Sequence, residues 1–280
     1  MSPLAIPFPV IDPVAVSIGP FGVRWYALAY VAGLVGGYLY ARRLAADASL
    51  WPPGARRPDA DELADLLVYC ALGLILGGRL AYVAFYNPGY FLSHPGEIPQ
   101  VWKGGMSFHG GLLGALAGAL LFARRRGLAL LPLLDLAGTV APLGIFFGRI
   151  ANFVNGELWG RVTDVPWGVV FPGAGPLPRH PSQLYEAATE GLLLLVLLGW
   201  AARAGAFKRP GLVAGLFGVG YGLFRIFCEL FREPDAQLGF LSGGLTMGMV
   251  LSLPLVLAGA WLALRARARA PAARAGASGA

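Results

Sequence analysis

Charge is scarce in this chain. Only 13% of its 280 residues are Asp, Glu, Lys or Arg, while 56% are hydrophobic. A soluble globular domain carries about 25% charged residues, so a water-exposed surface of ordinary size is excluded. Cysteine is scarcer still: Cys70 and Cys228 both fall within apolar runs and show no metal-ligand spacing, so neither a disulfide framework nor a metal centre is indicated. No Gly-x-Ser-x-Gly nucleophile motif occurs and Asp135 has no paired aspartate in an apolar run, which argues against an intramembrane protease. Alternating amphipathic segments of the barrel kind are missing, as are repeated halves of the transporter kind. The opening Met-Ser-Pro-Leu-Ala-Ile-Pro7 has no basic region and is broken by proline, which does not fit a cleavable signal peptide; it is expected along the outer interface.

What is present is a series of apolar runs near the ~20 residues needed to cross a hydrocarbon core. They predict an all-α polytopic membrane bundle of seven helices, at about 24–41, 63–86, 106–123, 132–151, 183–202, 211–231 and 241–264. Residues 1–264 would form one transmembrane domain with outer loops at about 87–105 and 152–182, and 265–280 a basic, disordered cytoplasmic tail. Basic residues set the orientation. Fourteen of the 22 Lys and Arg follow the first, third, fifth and seventh runs, which puts the N-terminus outside and the C-terminus inside. The net charge of +7 is then mostly a topology signal, and nucleic acid is not an expected partner.

Glycine recurs at four-residue spacing, as in Gly33/Gly37, Gly73/Gly77, Gly110/Gly114/Gly118, Gly211/Gly215, Gly218/Gly222 and Gly244/Gly248. Small residues so spaced let helices approach closely in lipid, so they are read as packing.

Three arginines lie within apolar runs: Arg79, Arg149 and Arg225. A guanidinium in the bilayer is costly and faces a cavity with a partner. Arg149 belongs to Gly148-Arg-Ile-Ala-Asn-Phe-Val-Asn-Gly-Glu-Leu-Trp-Gly-Arg161, where Asn152 shares its helical face and Glu157 follows between two glycines. A carboxylate beside arginines fixes them and leaves spare donors for an anion. Arg225 belongs to a stripe of Tyr221, Arg225, Glu229 and Arg232, spaced by four, four and three. An intrahelical pair alone would leave Tyr221 and Arg232 unexplained. His109, in Met106-Ser-Phe-His-Gly-Gly111, can take a proton near neutral pH. His180, in His180-Pro-Ser-Gln-Leu-Tyr-Glu186, is a cap or an entrance contact, and Glu186 enters the membrane. Together these residues describe a site for an anionic lipid head group, without naming the acceptor.

The run 148–161 resembles the signature of the prolipoprotein diacylglyceryl transferase family. Support comes from Ser107–Gly111, His180–Glu186, Tyr221–Arg232 with the following Glu-Pro-Asp-Ala-Gln237, and Ser17-Ile-Gly-Pro20 followed by Arg24-Trp-Tyr26. The resemblance implies transfer of the diacylglyceryl group of phosphatidylglycerol to the lipobox cysteine of a preprolipoprotein signal peptide. A thioether forms and glycerol phosphate leaves, with no cofactor and no metal. It implies a multi-pass protein of the bacterial inner membrane with its site toward the periplasmic leaflet.

On that reading the catalytic candidates are His109, Arg149, Arg225, Tyr26 and Glu229. The substrate-binding candidates are Arg149, Asn152, Glu157, Arg225, Tyr221, Arg79, Arg232 and His180. Arg149 and Arg225 hold phosphate, Asn152 and Tyr26 donate in support, and Glu157 and Glu229 orient the arginines. His109, or the arginine field itself, activates the thiol. Arg79 contacts the head group or neighbouring helices, or is purely structural; Asp135 is structural, and Trp102 and Lys103 mark an interfacial arm.

Overall fold

The computed structural model describes residues 5–9, 11–19, 21–234 and 239–269. Pro20, the Asp-Ala-Gln237 end of the run after Arg232, and the tail from residue 270 lie outside the described residues. The chain is mostly helical: α1 Trp25–Ala46, α2 Ala60–Phe85, α3 Pro88–Ser93, α4 Phe108–Arg126, α5 Leu130–Val154, α6 Ser182–Glu186, a π-helical stretch Ala187–Leu193 running straight into α7 Leu194–Arg203, α8 Leu212–Glu229 and α9 Met247–Ala268. Each apolar run expected as a span carries a helix. Among the described residues, five helices are long and apolar enough, by length and composition, to cross a membrane: α2, α5, the continuous Ser182–Arg203, α8 and α9. Four tyrosines and the Arg42–Arg43 pair dilute α1, and glycines with three terminal arginines dilute α4.

The chain divides into two compact units. The first to close in sequence is Gly54–Leu133, which holds α2, α3 and α4. Asp59 caps α2 reciprocally with Glu62, satisfying two N–H groups that helix geometry leaves without partners. Ser107 caps α4, whose other end stops at Gly127 in the left-handed region, φ 64°. The small residues of α2 and α4 interlock: a Cβ on Gly73 would lie 2.1 Å from the Gly114 carbonyl oxygen, and one on Gly77 2.3 Å from that of Gly110. Dispersion between backbones holds the pair where lipid supplies no hydrophobic drive.

The other unit comprises Met1–Pro53 and Leu134–Ala280. Within it α8 and α9 pack through Gly215, Gly218, Gly222 and Gly259, and α1 meets α5 where Gly33 faces Gly144. Asp135, 1% exposed, accepts from the backbone N–H groups of Gly211 (2.7 Å) and Ala214 (2.8 Å), so it caps α8. That is the structural role expected for it.

Short strands qualify the all-α expectation. β1 (Ile6–Pro7) runs parallel to β4 (Val169–Val170), and β2 (Val14–Ile18) pairs antiparallel with β3 (Phe21–Arg24). Phe8 then packs against Phe153 and Phe171, with ring centroids 5.6 and 5.4 Å apart. The N-terminal segment is thereby tied to the loop that follows α5.

Candidate active site

Two acids on one helix organise the site. Glu186 and Glu190 are 1% and 0% exposed, although Glu190 sits among alanine, glycine and leucine on the π-helical stretch. Such wide turns interrupt α-helices at functional positions. Glu186 gathers three guanidiniums: Arg149 Nε at 2.7 Å from Oε2, and Arg225 and Arg232 NH1 at 3.1 and 3.2 Å from Oε1. Glu229 holds Arg225 NH2 at 2.5 Å, accepts a hydrogen bond from the Thr246 hydroxyl and has Arg232 Nε at 3.8 Å. Gly248 makes room for it, since a Cβ there would meet the Glu229 carboxylate at 2.6 Å. Among the described residues, the cations paired with Glu190 are distant, Arg149 at 3.6 Å and Arg225 at 3.9 Å.

Charges in so dry a setting persist only when paired. Here three carboxylates lock three guanidiniums, yet the arginine side chains remain 11–19% exposed while the acids lie behind them. The exposed edges are N–H donors of positive charge. Such a surface suits a phosphate, whose oxygens accept from planar guanidinium forks.

The loop after α5 supports this cluster from one side. Gly160 and Arg161 bridge two other chain segments: Gly160 N–H donates to His180 O (2.9 Å), and Arg161 N–H to Phe231 O (2.8 Å). A Cβ at Gly160 would lie 2.5 Å from Phe231 O and 2.7 Å from His180 O, so only glycine fits. Arg161 donates to the carbonyls of Arg232 (2.9 Å) and Glu229 (3.0 Å). Leu158 adopts φ 58°, a strained conformation for a branched residue. Ser182 Oγ donates to its carbonyl (3.1 Å) and Gln183 Nε2 to that of Glu157 (2.5 Å), which holds the turn.

His180 stands beside this crossing. Trp167 Nε1 donates to the Tyr185 hydroxyl (2.7 Å), which in turn lies in hydrogen-bond contact with His180 Nδ1 at 3.1 Å. Burial pushes the His180 pKa down, the Arg161 charge adds to this, and Asp164 opposes it. The contact with Tyr185 joins the His180 ring to α6.

Several expected site residues meet here: Arg149, Arg225, Tyr221, Glu229 and Arg232. Tyr221 stacks on Phe217 (5.8 Å) within electrostatic reach of Glu190 and Arg225. Asn152 and Glu157 form a separate pair, with Asn152 Nδ2 donating to Glu157 Oε1 at 2.8 Å. This corrects the expected orienting role of Glu157: among the described residues, the carboxylates in ion-pair contact with Arg149 are Glu186 and Glu190. Tyr26 packs edge-on to Tyr30 at 5.0 Å.

Of the roles weighed for Arg79, its surroundings fit the structural one. It is 5% exposed and donates to four backbone carbonyls, those of Ile98 (2.7 Å), Gly104 (2.7 Å), Gly105 (3.1 Å) and Glu97 (2.7 Å). Phe91 lies 5.0 Å from its guanidinium. Its donors fasten the loop after α3 within its own unit. His109 belongs to that unit too, exposed in the first turn of α4. Glu186 was read only as entering the membrane, and Glu190 was not singled out. Their signal was available as two acids four residues apart in an apolar run.

Apolar helices of spanning length and a buried cluster of arginines and carboxylates define a polytopic membrane protein whose candidate site is lined with guanidiniums. Its family is then shown by comparison: the sequence profile described as Prolipoprotein diacylglyceryl transferase matches residues 13–265, and the chain belongs to that family. Similar proteins named phosphatidylglycerol--prolipoprotein diacylglyceryl transferase occur in Methylocella silvestris (66% identical over 92% of this chain and 94% of that one) and in Beijerinckia indica (61% over 94% and 97%). One of the same name in Rhizobium meliloti is 57% identical over 96% of each chain.

Proposed function

We propose that this protein transfers the diacylglyceryl group of phosphatidylglycerol to the thiol of a prolipoprotein cysteine, the first step of lipoprotein maturation. The observation that carries the reading is the triple guanidinium cluster fixed by Glu186 and Glu229. Sulfur attacks the glyceryl carbon, the carbon–oxygen bond to phosphorus breaks, and the electron pair leaves on phosphate oxygen. Arg149 and Arg225 bind the phosphate and stabilise the charge that develops there, with Arg232 behind them. Tyr221, Tyr26 and the Asn152–Glu157 pair contribute hydrogen bonds around the head group. His180 orients the entrance. His109 takes the thiol proton, because a cysteine of pKa about 8.5 is mostly protonated at neutral pH.

Seven helices span the bilayer, α1 and α4 included, with the N-terminus outside, the C-terminus inside and the site toward the periplasmic leaflet of the bacterial inner membrane. Positive-inside loops support this orientation. Phe85, Leu92 and Trp102, 82%, 84% and 77% exposed, support an arm that lies in the outer interface. The acceptor is the lipobox cysteine of a preprolipoprotein signal peptide.

The test is to incubate detergent-solubilised protein with phosphatidylglycerol and a lipobox peptide, then weigh the peptide. A gain of one diacylglyceryl group is expected, and cleavage or an unchanged mass would refute the assignment. In the same assay His109→Gln is expected to slow transfer and move the pH–rate profile; an unchanged rate and profile would leave thiol activation to the arginine field.

A further inference from the structure

Glu190 is the least supported charge in the cluster. Its side chain is fully buried and neither carboxylate oxygen has a hydrogen-bond partner among the described residues. The groups that face it are Arg149 on α5, Glu186 on α6, Tyr221, Arg225 and Cys228 on α8, and Arg232 beyond α8. Glu186, together with Glu229 at the end of α8, holds the guanidiniums at hydrogen-bonding distances, whereas Glu190 is left with approaches of 3.6 and 3.9 Å.

The ion-paired set contains three guanidiniums and three carboxylates, Arg149, Arg225 and Arg232 against Glu186, Glu190 and Glu229. It is balanced before any lipid arrives. A phosphodiester adds one negative charge, and its oxygens compete for Arg149 NH2 and Arg225 NH1, the atoms nearest Glu190. A buried carboxylate deprived of its cations neutralises by taking a proton, since an unpaired charge in a dry site is too costly.

We propose that Glu190 takes up one proton when the phosphate head group binds, so that the cluster exchanges a carboxylate charge for the phosphate charge. The inference rests on the lipid site proposed above. Glu190 is here a positioning residue: it holds Arg149 and Arg225 in the empty site and releases them to the anion on protonation. The proton comes from solvent at binding and is distinct from the thiol proton of the transfer step. By linkage, affinity falls as pH rises, by up to about tenfold per pH unit for one coupled proton.

Titration calorimetry of the full chain in detergent tests this, with dioctanoyl phosphatidylglycerol as ligand, no peptide, and two buffers of equal pH but different ionisation enthalpy. Uptake approaching one proton is expected for the wild type. Glu190→Gln should bind without uptake and with a flat pH profile, and Glu190→Asp, which keeps the acid, should retain uptake. A purely packing role would alter stability and leave the proton count alone. Binding by the wild type without proton uptake, or uptake that persists in Glu190→Gln, overturns the inference and leaves the lipid site standing. No binding by the wild type removes both.

Discussion

Glu186 and Glu157 are both carboxylates of the candidate site, and their surroundings separate them. Glu186 touches three guanidiniums, while Glu157 accepts from Asn152. Glu186→Ala would strand buried charges, for which about 3–5 kcal/mol of destabilisation is typical. Glu157→Ala removes one amide hydrogen bond, worth about 1 kcal/mol, or up to about 3 kcal/mol with the partner left buried. Thermal unfolding in one detergent should therefore rank Glu186→Ala well below Glu157→Ala, and the reverse order would contradict the assignment of Glu186 as the hub. Arg149 and Arg225 were legible in the sequence because a cation in an apolar run is anomalous wherever it sits. Glu229, one turn from Arg225, was legible with them, whereas Glu186 and Glu190 were not. Glu186 lies 37 positions beyond Arg149, and nothing local to either residue encodes that contact. Arg79 was equally visible as an anomaly, but its partners are carbonyl oxygens, which every sequence has everywhere.

At the scale of elements, helix positions were readable from hydropathy and helix ends were not. α1 continues past Arg42 and Arg43 to Ala46 because Leu44 and Ala45 are buried there and Asp47 starts the next turn. An apolar boundary marks where lipid stops, and hydrogen bonding sets where the helix stops. β1 and β4 are two residues each, too short to show alternation. The four-residue glycine spacing was the most informative local signal, and α2 and α4 use it at backbone contact. Gly77→Leu or Gly114→Leu would force these helices apart, with 2.3 Å and 1.9 Å between the new Cβ and a carbonyl oxygen. Lower yield of folded protein and a lower Tm are expected. Gly89→Ala, where no atom lies within 4 Å of the added Cβ, is the control and should leave both unchanged.

For the whole molecule, scarcity of charge is the unifying property. Most charges lie at the ends of apolar runs, and a small set is buried and paired. Membrane class, the principal arginines and Glu229 follow from that division, whereas Glu186 and Glu190 as partners of those arginines required the fold. The central claim is that Arg149 and Arg225 bind the phosphate that leaves. It is tested most directly by the rate of diacylglyceryl transfer to a lipobox peptide by purified, folded Arg149→Ala, Arg225→Ala and Arg149→Lys proteins. Loss of at least about a hundredfold is expected for both alanine variants, in line with removal of one transition-state charge contact. Arg149→Lys should recover little, because a point charge does not replace the planar fork. Wild-type rates in both alanine variants would contradict the claim.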